Sequence, residues 1–160
     1  MTYKTRMKLD EMLSNENVLQ MERFCQHGNT STLEHCHNVA LKALQLAEKH
    51  NCTQEQMDNI VVGAMLHDYF LYDWHVTGRN TQDGIHAWSH PRIALKNAVR
   101  DFELNDKQCN IIRSHMFPTT LLHPPLCKEA VLVNIADKWC AVIETIDRFV
   151  PRKRYTCIER

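Results

Sequence analysis

The sequence predicts an all-α fold, a bundle of about six or more helices, and three observations carry that prediction. Only four glycines and five prolines punctuate 160 residues. Apolar residues recur at three- and four-residue steps instead of alternating, and helix-start signals repeat along the chain. A chain of this length can bury a core without disulfides, so one domain, 1–160, is expected, with its motif-bearing part at about 30–145.

The elements follow in order. A first helix is expected within residues 7–26. The polar GNTS after it reads as a loop leading to Ser31 and Glu34, the S-x-x-E of a capping box. A helix then runs from Thr32 to about His50. Its stripe is Leu33, Val39, Ala40, Ala43, Leu44 and Ala47, with His35 and Cys36 close beside it. Thr53 and Gln56 repeat the capping pattern before a helix that carries Ile60, Val61, Ala64, Met65 and Leu66 inward and ends at the adjacent His67 and Asp68. Gly63 and Ala64, one turn earlier, leave room for a close helix crossing or for an ion and its ligands.

Residues 70–88 are aromatic and glycine-punctuated, and they read as a long loop and a candidate lid or pocket wall. Ser89 is expected to cap a helix with Pro91 in its first turn, where a missing amide donor is tolerated. That helix runs to about Phe102 and presents His90 at its start. Asn105 and Gln108 open a short helix holding Ile111, Ile112 and His115, ended by Phe117-Pro118. The last long helix, from near Pro125 to Ile146, holds Asp137 among Val131, Val133, Ile135, Ala136, Cys140 and Ala141.

Composition excludes some functions. The 19 basic and 19 acidic residues cancel. The basic ones are dispersed apart from the tail PRKRYTCIER, so nothing resembles the one-sided footprint of a nucleic-acid binder. Charges interrupt every apolar segment before the roughly 18 residues a membrane span needs. Seven cysteines, an odd number with no C-x-x-C pair, and an opening MTYKTRMKLD that is no secretory leader fit a reducing cytoplasm. Neither nucleic acid nor membrane is an expected partner.

Ten histidines are the one compositional excess, and their arrangement carries information. His35, His67 with Asp68, His90, His115 and Asp137 each fall in an apolar neighbourhood of a separate helix. The successive gaps of 32, 23, 25 and 22 residues are each about one helix plus a connection. Ligands delivered that way converge inside a bundle, which is how bundles build metal sites. A buried carboxylate is costly without a positive partner. For Asp68 the expected partner is metal, because adjacent residues at a helix end can straddle one ion or let the carboxylate bridge two.

With EHCHNVA, MLHDY, SHPRIALKNA, IIRSHM and NIADKW in this order, the chain resembles the HD-domain metal-dependent phosphohydrolase superfamily, over roughly residues 30–145. It looks most like small bacterial members carrying H-D-x-x-x-Y-D-W-H and H-M-F-P stretches, whose substrate is unassigned. The resemblance implies an HD-type helical bundle with His35, His67, Asp68 and Asp137 around one metal. His90 and His115 would join a bridging Asp68 around a second. HDYFL and HMFPT depart from the H-D-x-G-K and G-Y-P segments of the cyclic-dinucleotide-degrading branch, so that substrate is not expected. No DNA-binding or synthetase domain is read beside the HD core, which argues against a stringent-response enzyme.

One or two transition or divalent ions are expected, and imidazole with carboxylate suits iron, manganese, zinc and similar metals alike. Such ions lower the pKa of water from about 15.7 toward about 7. The expected activity is therefore hydrolysis of a phosphoester through a metal-bound hydroxide, with His67 and Asp68 at the reaction centre. The partner is a small phosphorylated molecule, a nucleotide among the candidates. Arg79 leads the residues expected to neutralise phosphate, followed by Lys96, Arg92 and His86; Lys138, next to Asp137 on a helix, reads as pointing elsewhere. Tyr72 and Trp74, with Tyr69 and Trp88, suit stacking against a base, although the lid's own core explains them as well. A dinuclear-iron oxygenase on the same scaffold and a catalytically silent binding protein are the alternatives.

Overall fold

Seven α-helices form the body of the described protein: α1 (Tyr3–Leu13), α2 (Glu16–Leu19), α3 (Thr32–Lys49), α4 (Gln54–Leu66), α5 (His86–Asp101), α6 (Asp106–Ser114) and α7 (Lys128–Asp147). The structure is a computed structural model, and it describes residues 1–27, 30–74, 80–81 and 84–147. Two short antiparallel pairings accompany the helices, β1 (Cys25–His27) with β2 (Thr30–Ser31) and β3 (Asn80–Thr81) with β4 (Gly84–Ile85). The fold is all-α, as the helical periodicity requires.

α3 lies at the centre, packed on α4 and α7, while α6 packs on both α4 and α7. Its stripe of Val39, Ala40, Ala43, Leu44 and Ala47 is buried, and it faces a core that includes Ile60, Val61, Ala64 and Met65 of α4 and Val133 and Ala136 of α7. Burying each of the larger side chains contributes about 1.5–3 kcal/mol. The small ones let the helices approach closely enough for polar side chains to meet between them.

The capping signals vary in how literally they are realised. Thr53 with Gln56 and Asn105 with Gln108 form reciprocal capping boxes at the starts of α4 and α6. Ser31 accepts from the Glu34 amide at 3.1 Å, but its hydroxyl donates to Glu22. The expected single helix within 7–26 is corrected: α1 begins at Tyr3, capped by Thr2, and ends at Leu13. Asn15 then captures the amides of Asn17 and Val18, which opens α2 and breaks the run. The loop expected at 28–31 includes Thr30–Ser31 of the first pairing, a stretch too short to show period-two alternation.

α5 also begins earlier than expected, at His86 instead of after Ser89. Ser89 and His90 are already inside the helix and buried, and Pro91 stands in the second turn. Its ring removes only the donor to Ala87, a residue exposed to water. The helix start is set by packing, because no side chain caps it at Ile85.

Gly63 serves a helix crossing. A methyl group placed on it would lie 2.6 Å from Ile111 Cγ2 and 2.8 Å from Ile111 Cβ. α4 and α6 therefore touch one turn before His67 and His115, which fixes the approach of those two histidines.

Candidate metal centre

Five helices converge on one buried point. His35 comes from the first turn of α3, His67 and Asp68 follow α4, and His90 comes from α5. His115 follows α6, and Asp137 sits mid-way along α7. None of the six is more than 8% exposed. His67 and His115 are the C-cap residues of their helices. There the chain leaves the helical path, and Asp68 can turn toward the same centre as His67.

Asp68 divides the site. Its Oδ2 lies 3.5 Å from His67 Nε2 and 3.9 Å from His35 Nε2, and its Oδ1 lies 3.3 Å from His90 Nε2 and 3.4 Å from His115 Nε2. Asp137 Oδ1 completes the first group at 3.2 Å from His35 Nε2 and 3.7 Å from His67 Nε2. Two sets of ligand atoms result, His35–His67–Asp68 and Asp68–His90–His115, sharing one carboxylate.

The opposite edge of each imidazole fixes its tautomer. Nδ1 of His67, His90 and His115 lies 2.7–2.8 Å from the carbonyl oxygens of Ala64, His86 and Ile112 respectively. A carbonyl only accepts, so each Nδ1 carries the proton and the lone pair of the neutral ring falls on Nε2, facing the centre. His35 Nδ1 is held in the same way by Glu144 at 2.8 Å, and Asn38 donates to the other oxygen of Glu144 at 3.2 Å.

These groups fit a divalent ion. His67 Nε2 and Asp68 Oδ1 are buried without a hydrogen-bond partner, an arrangement that normally costs about 1–3 kcal/mol per group. The Nε2 atoms of His90 and His115 face each other at 2.8 Å. Two lone pairs that close require a cation, either a proton on one ring or a metal between them. Donors bound at about 2.1 Å around one ion lie roughly 3–4 Å apart, the range spanned by the carboxylate–imidazole distances.

The electrostatics point the same way. Burial on its own lowers the His35 pKa, but hydrogen bonds to Asp137 and Glu144 outweigh it and raise the value to about 10. His67 is raised despite its burial by Cys36, Asp68 and Asp137. Burial works against ionisation of Asp68 and Asp137, yet the surrounding histidines hold both carboxylates below the usual range. The centre attracts positive charge, and protons and metal ions compete for the same lone pairs.

A family model described as HD domain matches residues 32–141. The chain belongs to the HD domain family. No curated protein and no solved structure matches the chain at a significant level.

In this HD domain a cavity of about 400 Å³ opens beside the centre, with Asp68, His90, His115 and Asp137 in its wall. Trp74, His86 and Lys138 line it as well. The Trp74 ring stacks on His86 at 5.1 Å and 7°, and Tyr72 Oη lies 2.7 Å from His86 Nδ1. Tyr69 belongs to the core, its hydroxyl donating to Asp101 at 2.9 Å. Trp88 is exposed and lies outside this cavity.

Two phosphate-binding expectations change. Lys96 is exposed on α5 and is not among the cavity-lining residues. Lys138, read as pointing elsewhere, lines the cavity and donates to the His115 carbonyl at 2.9 Å, because its long stem reaches round the helix from its position next to Asp137. Arg79 and His75 lie outside the described residues, as does the tail from 148 onward.

Three residues that sequence reasoning passed over support this HD domain's centre. Gln26 of β1 donates to Asp68 Oδ2 at 2.5 Å. Glu144 follows Asp137 by seven residues, two turns along the same face of α7, a spacing that was open to inspection. Asn134, one turn before Asp137, donates to the carbonyls of His115 and Phe117 at 2.6 and 2.8 Å and so holds the end of α6. Among the described residues no helix is long and apolar enough to cross a membrane.

Proposed function

We propose that this chain is a metal-dependent phosphoric ester hydrolase with a dinuclear centre. His35, His67, Asp68 and Asp137 would hold one ion, and Asp68, His90 and His115 the other. The observation that carries the reading is the single buried carboxylate of Asp68, whose two oxygens face two separate groups of imidazole nitrogens. Bound ions at these positions would supply an acidified water as nucleophile and stabilise charge on the attacking and leaving oxygens of a phosphoryl displacement.

The remaining contributions belong to the protein. The carbonyl and Glu144 contacts hold each imidazole with Nε2 inward, and Gln26 fixes the rotation of Asp68. Lys138 carries a positive charge to the cavity wall, where its donors beyond the one on His115 suit a phosphate oxygen. The stacked Trp74 and His86 form an apolar wall for the organic part of the ester, a nucleotide base among the candidates. On this reading residues 1–160 form one domain, with α1 packed on α4. The six described cysteines are free thiols, as suits a cytoplasmic protein.

The test is a phosphate-release panel of nucleotides and phosphomonoesters with protein loaded separately with manganese, iron or zinc. Hydrolysis of at least one ester, stopped by chelation and absent in Asp68→Ala, is the expected result. Oxygen consumption without ester hydrolysis would replace this reading with an oxygenase on the same ligands.

A further inference from the structure

α7 is apolar on two opposite sides. One side packs into the bundle through Ala130, Val133, Ala136 and Cys140, and it carries Asp137 and Glu144 to His35. The other side holds Val131, Ile135, Trp139, Val142, Ile143 and Ile146, which are 39–57% exposed. At 3.6 residues per turn these six fall within about 120° of arc, centred opposite Asp137. No charged residue lies on that face between Val131 and Ile146. A surface helix normally turns a polar face to water, and a helix apolar all round is one that is buried. The strip presents on the order of 500 Å² of apolar surface, toward the top of the range found on monomers. That is over half of the about 800 Å² each partner contributes to a standard interface, whose polar rim adds the rest.

The spacing of the strip selects its partner. Ile135, Trp139, Val142 and Ile146 are separated by four, three and four residues, the a/d step of a helix that pairs with another helix. The same four residues are complementary to themselves. In an antiparallel pair, residue numbers rise along one chain as they fall along the other. A two-fold axis between Cys140 and Ala141 therefore sets Trp139 against Val142 and Ile135 against Ile146, each pairing occurring twice. The largest side chain of the seam meets its smallest, and the outer layers join isoleucines. Lys42 Nζ of α3 lies 4.4 Å from the centre of the Trp139 ring. That contact covers one face of the indole and leaves the other for a partner.

We propose that the exposed face of α7 is a docking surface for a second copy of this chain, which forms a two-fold dimer through antiparallel α7 helices. Asp137 and Glu144 lie on the far side of the helix from this seam, so each chain keeps its own metal ligands. The interface is independent of the reaction the centre performs.

The test is sedimentation equilibrium of the full chain at about 1 to 100 µM. The wild type should sediment at twice the 18.8 kDa of one chain. Ile135→Glu and Val142→Glu each put a carboxylate into the seam and should return the protein to single-chain mass. Their circular dichroism should match wild type, because both positions face water within one chain. Val99→Glu, at an equally exposed apolar position on α5, should leave the dimer intact. Trp139→Ala should raise the dissociation constant about tenfold or more, as loss of a central aromatic anchor does. The antiparallel register has its own check. Ile146→Lys alone should be monomeric, and mixing it with Ile135→Glu should restore a dimer, because the two opposite charges then meet in one layer while the other layer keeps two isoleucines. Parallel helices would leave each charge against isoleucine, so a mixture that stays monomeric overturns the antiparallel seam. A wild type of single-chain mass at about 100 µM overturns the proposal and leaves the face to residues 148–160 or to an unlike partner. A dimer that survives both Ile135→Glu and Val142→Glu overturns it as well.

Discussion

Asp68 has two oxygens and four imidazoles to serve, and that mismatch organises the centre. An acid that only balanced one histidine would need neither the Gln26 clamp nor three backbone carbonyls aiming rings at it. The six ligand-type residues were legible in the sequence because their chemistry is written in side-chain identity and their spacing in whole helices. Gln26 was not, since an amide in a short strand has no distinguishing pattern. Glu144 was half-legible, through its two-turn spacing from Asp137. Its role is testable: Glu144→Gln keeps the shape but removes the charge that raises the basicity of His35. Affinity for the ion between His35 and Asp137 should fall about 10- to 100-fold, the usual cost of losing such a support. Competition with a chromogenic chelator measures it, and an unchanged affinity would reduce Glu144 to a structural role.

At the scale of elements, the helix crossing at Gly63 links packing to the site. Gly63→Ala gains about 1 kcal/mol of helix propensity. Against that stands a clash with the β-carbon and branch methyl of Ile111, which cannot swing away as the end of a long chain could. Overpacking of this kind costs about 1–3 kcal/mol. The expected outcome is a lowered melting temperature with weakened metal binding, partly restored by adding Ile111→Ala. A variant as stable as wild type would show that the crossing is loose. Capping boxes at Thr53 and Asn105 were readable because they are local. The start of α5 was misread because the S-H-P order of residues 89–91 imitates a helix entry. Stacking of His86 on Trp74, which lies twelve residues earlier, and the β3–β4 hairpin that ends at Ile85 accompany the true start at His86. Lys138 was misjudged for a related reason: helical angle gives the direction of a Cβ, and not the reach of a four-carbon stem.

Across the whole molecule, α3 to α7 each contribute to one polar point, so a bound ion would tie the bundle together. Removing metal should therefore lower global stability. For a free ion at about 100 times its dissociation constant, linkage supplies about 2.7 kcal/mol. In a domain of this size that corresponds to a melting shift of about 5–10 °C. Differential scanning calorimetry with and without chelator reads the shift, and Asp68→Ala should show none. A wild-type protein indifferent to chelation would mean that the helices meet without help from the ions.

The central claim is that one carboxylate joins two metal positions, and metal stoichiometry tests it most directly. Elemental analysis of folded, metal-replete wild type, His90→Ala, His115→Ala and Asp68→Ala should find about two, one, one and no ions per chain. After loss of His115 the first position still has His35, His67, Asp68 and Asp137, a full four-ligand set, whereas the second retains only His90 and the shared carboxylate. Equal metal content in wild type and both histidine variants would contradict the account and leave a mononuclear site.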